Sequence, residues 1–348
     1  MNQVTKIRAP SIGTVLLFGF VLSFGCSPAV AHDVHSHAAD DHAETASTRN
    51  STGDVRELIR EFRQTGDDHY LDEAWSQLEP LLATEAPGAG VLVDAATVAQ
   101  ARHDFEEALA LLDRALLARP NYDQAWLLRA SISLVRGEIA DAQAACDRLH
   151  GVAVLVALTC DARVAIAQGD HAIAMQRLGA VIAVVDVASV DAESIAWALS
   201  VAGDAAAVAE PEEAIHYYRQ SLDIAESTQV RAAMVDVLLS LDRVAEAHDA
   251  LDDGHHALPL DIRRFIVAKR SGDFESVADE VAHADHEFRH WIEDEDWAHA
   301  REMTRFYIDV LDRPALAERL ARINLGLQRE PEDLLLARRV GECESCAR

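Results

Sequence analysis

His103-Asp104-Phe105-Glu106-Glu107-Ala108, continued by Leu112, Ala115 and Pro120, places apolar residues three and four apart and ends at a proline. That spacing is one buried face of an α-helix, entered from a polar turn and stopped where the backbone N–H is lost. Immediately beyond, Trp126, Ala130, Gly137, Ala142 and Cys146 begin the same arrangement again. Taking the small residue early in every second helix as a ruler gives Ala108, Ala142, Ala174, Ala214, Ala247 and Val277, at intervals of 34, 32, 40, 33 and 30 residues. The turns before them read His103-Asp104, Gly137-Glu138, Gly169-Asp170, Ala209-Glu210, Asp242-Arg243 and Gly272-Asp273. Helices paired at this period pack closely only where a small side chain lets the backbones approach, and each pair stays half unburied until the next stacks on it. The spacing therefore predicts an all-α chain of stacked hairpins. The 40-residue interval, which holds Val185 to Val190 and the alanines near Ala205, predicts an insertion or a lengthened helix.

This pattern resembles the tetratricopeptide repeat: a large residue early in the first helix, small residues where the helices touch, and proline closing the unit. The resemblance is best over residues 89–285 and extends over 54–340. It passes through an irregular first hairpin, where Trp75 and Leu78 share a face and Pro80 disturbs the second helix, and a C-terminal cap punctuated by Pro314 and Pro331. It implies a right-handed α-solenoid acting as a scaffold or adaptor for a protein or peptide partner, without a cofactor and without enzymatic activity. First helices of this family line a concave partner groove, which would place Val93, Thr97, Gln124, Leu127, Ser131, Thr159 and Arg163 on it; the alternative is that several of them pack between neighbouring repeats. The Lys, Asn and Arg clamp by which some members grip a C-terminal carboxylate is absent at these positions, so a helix or extended segment suits the surface better.

Composition narrows the class of task. Of 348 residues half are hydrophobic and only 5% aromatic, which favours helices over a β-sandwich. With 31 Lys+Arg against 59 Asp+Glu the formal charge is −28, a field that repels phosphate backbones and excludes nucleic acid as partner. Residues 1–31 read as an export signal: Lys6 and Arg8, an apolar run from Val15 to Phe24, and a small-x-small site at Ala29-Val30-Ala31. The expected mature chain starts at His32, periplasmic or secreted and not membrane-inserted. A lipidated Cys26 is the alternative, with Ser23-Phe24-Gly25 a poor match for the preceding signal.

Three constellations could carry chemistry. His32, His35, His37 and His42 stand with Asp33, Asp40 and Asp41 in a segment, residues 32–53, with almost no large apolar residue. It is predicted to be a disordered linker, or an arm that captures a divalent metal in the periplasm. His286-Glu287-Phe288-Arg289-His290 fits H-E-x-x-H, the zinc-hydrolase pattern, although Glu293 and Asp296 stand where the extended motif needs Gly and His. A third ligand would have to come from a residue such as Glu302; a solvated helix face is the alternative. An oxidising compartment would permit disulfides. Cys146 and Cys160 fall where successive helices pack; a bond between them would close a loop of about 15 residues, worth roughly 3 kcal/mol, and two separately buried thiols are the alternative. Cys343 and Cys346 form a C-x-x-C in an expected tail, residues 341–348, suited to a tail disulfide or a metal contact.

Overall fold

The polar turns read from the sequence are where the helices stop. In the computed structural model, which describes residues 46–346 apart from 66, 151–153, 185–189 and 252–255, the chain is helical with no strand among the described residues. The hairpins are α1 (Ala46–Thr65) with α2 (His69–Leu82), α3 (Ala89–Ala101) with α4 (Phe105–Ala118), and α5 (Asp123–Val135) with α6 (Ile139–Asp147). Next come α7 (Val154–Ala167) with α8 (His171–Ile182), α9 (Ala192–Ala206) with α10 (Pro211–Ile224), and α11 (Thr228–Ser240) with α12 (Val244–Ala250). The seventh pairs α13 (Leu258–Ser271) with α14 (Ala278–Glu293) through a 3₁₀ turn, Phe274–Val277. Then α15 (Ala300–Arg305) runs on through a π-helical turn, Phe306–Val310, to α16 (Pro314–Leu327) and α17 (Pro331–Cys346).

Within a hairpin the first helix ends on a left-handed residue: His103, Gly137, Gly169, Asp242 and Gly272 all have positive φ. The next N–H reaches five residues back in every case, from Asp104 to Ala99, Glu138 to Ser133, Asp170 to Ala165, Arg243 to Leu238 and Asp273 to Ala268, at 2.8–2.9 Å. This closure satisfies carbonyls that the helix end leaves open and turns the chain back sharply. The fifth hairpin departs from it. There Glu210 N–H reaches only to Ala206, and α9, at 15 residues, is scarcely longer than the other first helices, so most of the extra length of the 40-residue interval falls between Ile182 and Ala192.

All five alanine anchors have no exposed surface, and Val277 is 8% exposed. The two helices of a pair differ in kind. Second helices bury one stripe, as in Phe105, Ala108, Leu111, Leu112 and Ala115 of α4. First helices are buried nearly all round, α9 at every residue from Ser194 to Ala206. A helix with no solvated face is covered on every side. Its own partner and the neighbouring first helices supply three sides, and α1 with the C-terminal helices supplies the fourth.

Three boundaries differ from the sequence reading. Helix α1 starts at Ala46, inside the expected linker; α2 continues through Pro80 to Leu82; and α17 runs through the expected tail to Cys346. No helix among the described residues is long and apolar enough to cross a membrane.

Candidate functional site

The residues expected to line an open groove do not line one. Val93, Leu127, Ser131 and Thr159 are buried, at 4%, 3%, 1% and 0% exposure, and the Arg163 side chain retains 11%. Thr97 and Thr159 spend their hydroxyls on their own helices, donating to the carbonyls of Val93 and Leu155. Gln124 accepts from the Tyr122 hydroxyl at 3.1 Å. The expectation of a free concave surface is thereby corrected. Its physical reason is that the chain's own C-terminal segment lies along this face.

That segment is Gln328 to Asp333, the link from α16 and the first turn of α17. Its backbone docks on α5, Arg329 N–H donating to the Val135 carbonyl at 2.6 Å. Arg163 of α7 holds Ser131 at 3.1 Å and faces Glu330 at 3.9 Å. Arg301 of α15 forks onto both oxygens of Asp333 at 2.7 Å and also donates to Gln328, Glu330 and Glu332. Arg305 joins Glu332 to Asp236 of α11, and fully buried Arg263 of α13 forks onto Asp236 and reaches Glu302 at 3.1 Å.

The balance of this interior is acidic. Four guanidiniums face Asp204, Asp236, Glu302, Glu330, Glu332 and Asp333. Burial opposes charge on Arg301, yet Asp333, Glu332 and Glu330 together hold it firmly protonated. The carboxyl excess is relieved by protons. Burial, against the pull of Arg301, pushes Glu330 up to about 7, and burial raises Glu332 and, more strongly, Asp204, which accepts from the Tyr218 hydroxyl at 2.8 Å. Of these acids only Glu302 was named from the sequence, as a possible zinc ligand. A usable signal was there: isolated aspartates at 94, 161, 204 and 236 inside apolar helices, and Arg301 and Arg305 one turn apart.

The first hairpin meets the last ones. Helix α1 touches α11, and Asp68 before α2 reaches His299 before α15 at 3.6 Å. This seam leaves two adjoining cavities that share Phe62 and Gln229. One, of about 400 Å³, is lined by charged groups including Asp72, Arg102, His299 and Glu302. The other, of about 380 Å³, has apolar walls from Phe62, Ala196, Trp197, Ile224 and Val230. Trp197 and Gln229 line it with other atoms, while Trp197 Nε1 and Gln229 Oε1 are buried beneath its surface without a hydrogen-bond partner among the described residues. Buried polar atoms are rarely left so, because each forfeits on the order of 1–3 kcal/mol of solvation.

His286, Glu287 and His290 lie exposed on α14, the two imidazoles 4.7 Å apart between centroids. Glu302, named as a possible third ligand, is instead buried against Arg263, so that zinc set is not assembled among the described residues. His32, His35, His37 and His42, the export signal and Cys26 lie outside the described residues, as do the side chains of Cys343 and Cys346. Cys146 and Cys160 are joined in a disulfide.

The near-constant interval, the buried alanine at every hairpin contact and the repeated left-handed turn make one arrangement. The fold is that of a tetratricopeptide-repeat solenoid. No family model matches the sequence, and no curated protein matches it. Among solved structures the chain is similar to PilF of Pseudomonas aeruginosa, with 17% identity and a TM-score of 0.43 over 58% of this chain and 92% of that one. It is similar to the APC/C Cut9–Hcn1 assembly at 14% identity and 0.45, over 82% of this chain and 48% of the other. A tetratricopeptide repeat protein from Parabacteroides merdae gives 16% and 0.41, over 68% and 93%.

Proposed function

We propose that this protein is an exported, non-enzymatic scaffold that binds a protein partner at the seam between α1 and α9–α11, its concave face being taken up by its own C-terminal segment. The observation that carries the reading is the apolar cavity at this seam, walled by Phe62, Ala196, Trp197, Ile224 and Val230. A large apolar side chain of a partner suits those walls. Export is supported by the leader-like start of the sequence and agrees with the Cys146–Cys160 disulfide.

A photo-crosslinking residue at exposed Ala192, on the rim of the cavity, should capture the partner in the cell envelope. Ile224→Glu puts a charge on an exposed part of the apolar wall. Its affinity for the captured protein should fall about tenfold or more, a charge being costly to bury against apolar groups. Unchanged affinity in a folded Ile224→Glu chain would remove the seam as the binding site.

A further inference from the structure

The disulfide ties the last turn of α6 to α7, and each of its cysteines is followed by an aspartate: Cys146-Asp147 and Cys160-Asp161. His150 sits just beyond α6. Its Nε2 is 3.0 Å from Asp161 Oδ2, and the Gln143 amide donates to Asp147 Oδ1 at 2.9 Å and Asp161 Oδ1 at 3.1 Å. One donor atom from each of Asp147, His150 and Asp161 falls within 4.8 Å of the other two.

Charge sets this cluster apart from its counterparts in the solenoid. Four first helices bury an aspartate. Asp94 is paired with Arg56, Asp204 with the Tyr218 hydroxyl, and Asp236 with Arg263 and Arg305. The Asp161 side chain is only 9% exposed, yet its partners are a neutral amide and an imidazole that is cationic only when protonated. Asp147, drawn onto the same amide, adds a second carboxylate, and neither forms an ion pair with lysine or arginine among the described residues. A carboxylate so buried gains from a compensating cation.

We infer that Asp147, His150 and Asp161 form a binding site for a divalent first-row transition cation, Zn²⁺ being the best match, held in shape by the neighbouring disulfide. The donor set of one imidazole and two carboxylates suits Zn²⁺ better than Ca²⁺ or Mg²⁺, which take oxygen alone. Ligands about 2.1 Å from zinc in a tetrahedron stand about 3.4 Å apart. The His150–Asp161 pair, at 3.0 Å, opens by about 0.4 Å to reach that separation, and exposed Asp147 closes the remainder by a side-chain rotation. Gln143, whose amide orientation is set by its hydrogen bonds, turns its oxygen inward or yields its place to water. The inference is independent of the seam and of any partner.

The test is equilibrium dialysis of the full mature chain against Zn²⁺ alone, with elemental analysis. Because His32, His35, His37 and His42 can hold zinc as well, the quantity read is the difference between chains. Wild type should bind one equivalent more than Asp147→Asn or His150→Gln, both exposed positions whose circular dichroism should be unchanged. One histidine ring resonance, absent from His150→Gln, should shift on adding zinc to wild type. Removing the staple with Cys146→Ser/Cys160→Ser should weaken that equivalent at least tenfold, the size of effect that supporting groups around a metal have. Equal zinc content and affinity in wild type, Asp147→Asn and His150→Gln would overturn the site; an unchanged affinity in the double serine chain would overturn the role of the disulfide.

Discussion

At the level of single residues, the close contacts decide the sign of substitutions that composition alone would misjudge. A Cβ on Gly203 would stand 2.5 Å from the ring of Tyr218, which is buried and tied to Asp204. Alanine is worth about 1 kcal/mol over glycine inside a helix, while forcing atoms into a packed site costs about 1–3 kcal/mol. Gly203→Ala is therefore expected to lower the melting temperature, and a rise would show that the α9–α10 contact is looser than described. Glu330 gives a signed pH effect. Its carboxyl is held near 7 in the fold against 4.5 when free, so the folded chain binds the proton more tightly than the unfolded one. Stability from this group is full below about pH 4.5 and declines as pH rises to about 7. In Glu330→Gln that decline should be shallower when chemical denaturation is followed between pH 5 and 8; an equal slope would mean that Glu330 titrates as an ordinary surface acid. These acids escaped the sequence reading because a lone Asp in an apolar helix shows that a partner exists but not which residue supplies it. Asp236 and Arg305 are far apart in the chain and meet only in the fold.

Helices and turns were the legible scale. An anchor alanine, a left-handed turn residue and the hydrogen bond five residues back all sit within one hairpin, so local sequence specifies them, and the five alanines fall at full burial. The turn glycines separate two costs. Gly169 and Gly272 have positive φ and open space around a would-be Cβ, whereas at Gly137 that atom would lie 3.1 Å from Arg329 Cβ. Alanine at Gly169 or Gly272 should cost about 1 kcal/mol from backbone strain alone. Gly137→Ala should cost more, because it also displaces the docked C-terminal segment. Urea denaturation of the three variants gives the order, and equal losses would place Arg329 away from α5. The misread feature at this scale was the first helix itself. Its apolar character on all sides, as in Val91 to Ala99, marks a helix covered all round rather than one facing an open groove.

Across the whole molecule, the solenoid is filled rather than hollow. Whether a concave face is open depends on contacts between distant parts of the chain, here α5 and α7 with residues 328–333, and no repeat period contains that information. The ionic network makes the filling specific, because withdrawing one member of a buried set strands its partner at a cost of about 3–5 kcal/mol. On the proposed function, the outer helices and the seam are what remain for a partner. Alkylation of a cysteine placed at Ser131, on the inner face of α5, reads this most directly, in a chain whose Cys26, Cys343 and Cys346 are replaced by serine. With Ser131 at 1% exposure under the Arg163–Glu330 contact, the thiol should stay unmodified in the native chain and react only at the rate of unfolding, while a control cysteine at exposed Gln168 reacts at once. Labelling of Ser131→Cys as fast as the control, with the fold intact, would show an open groove and contradict the self-filled solenoid.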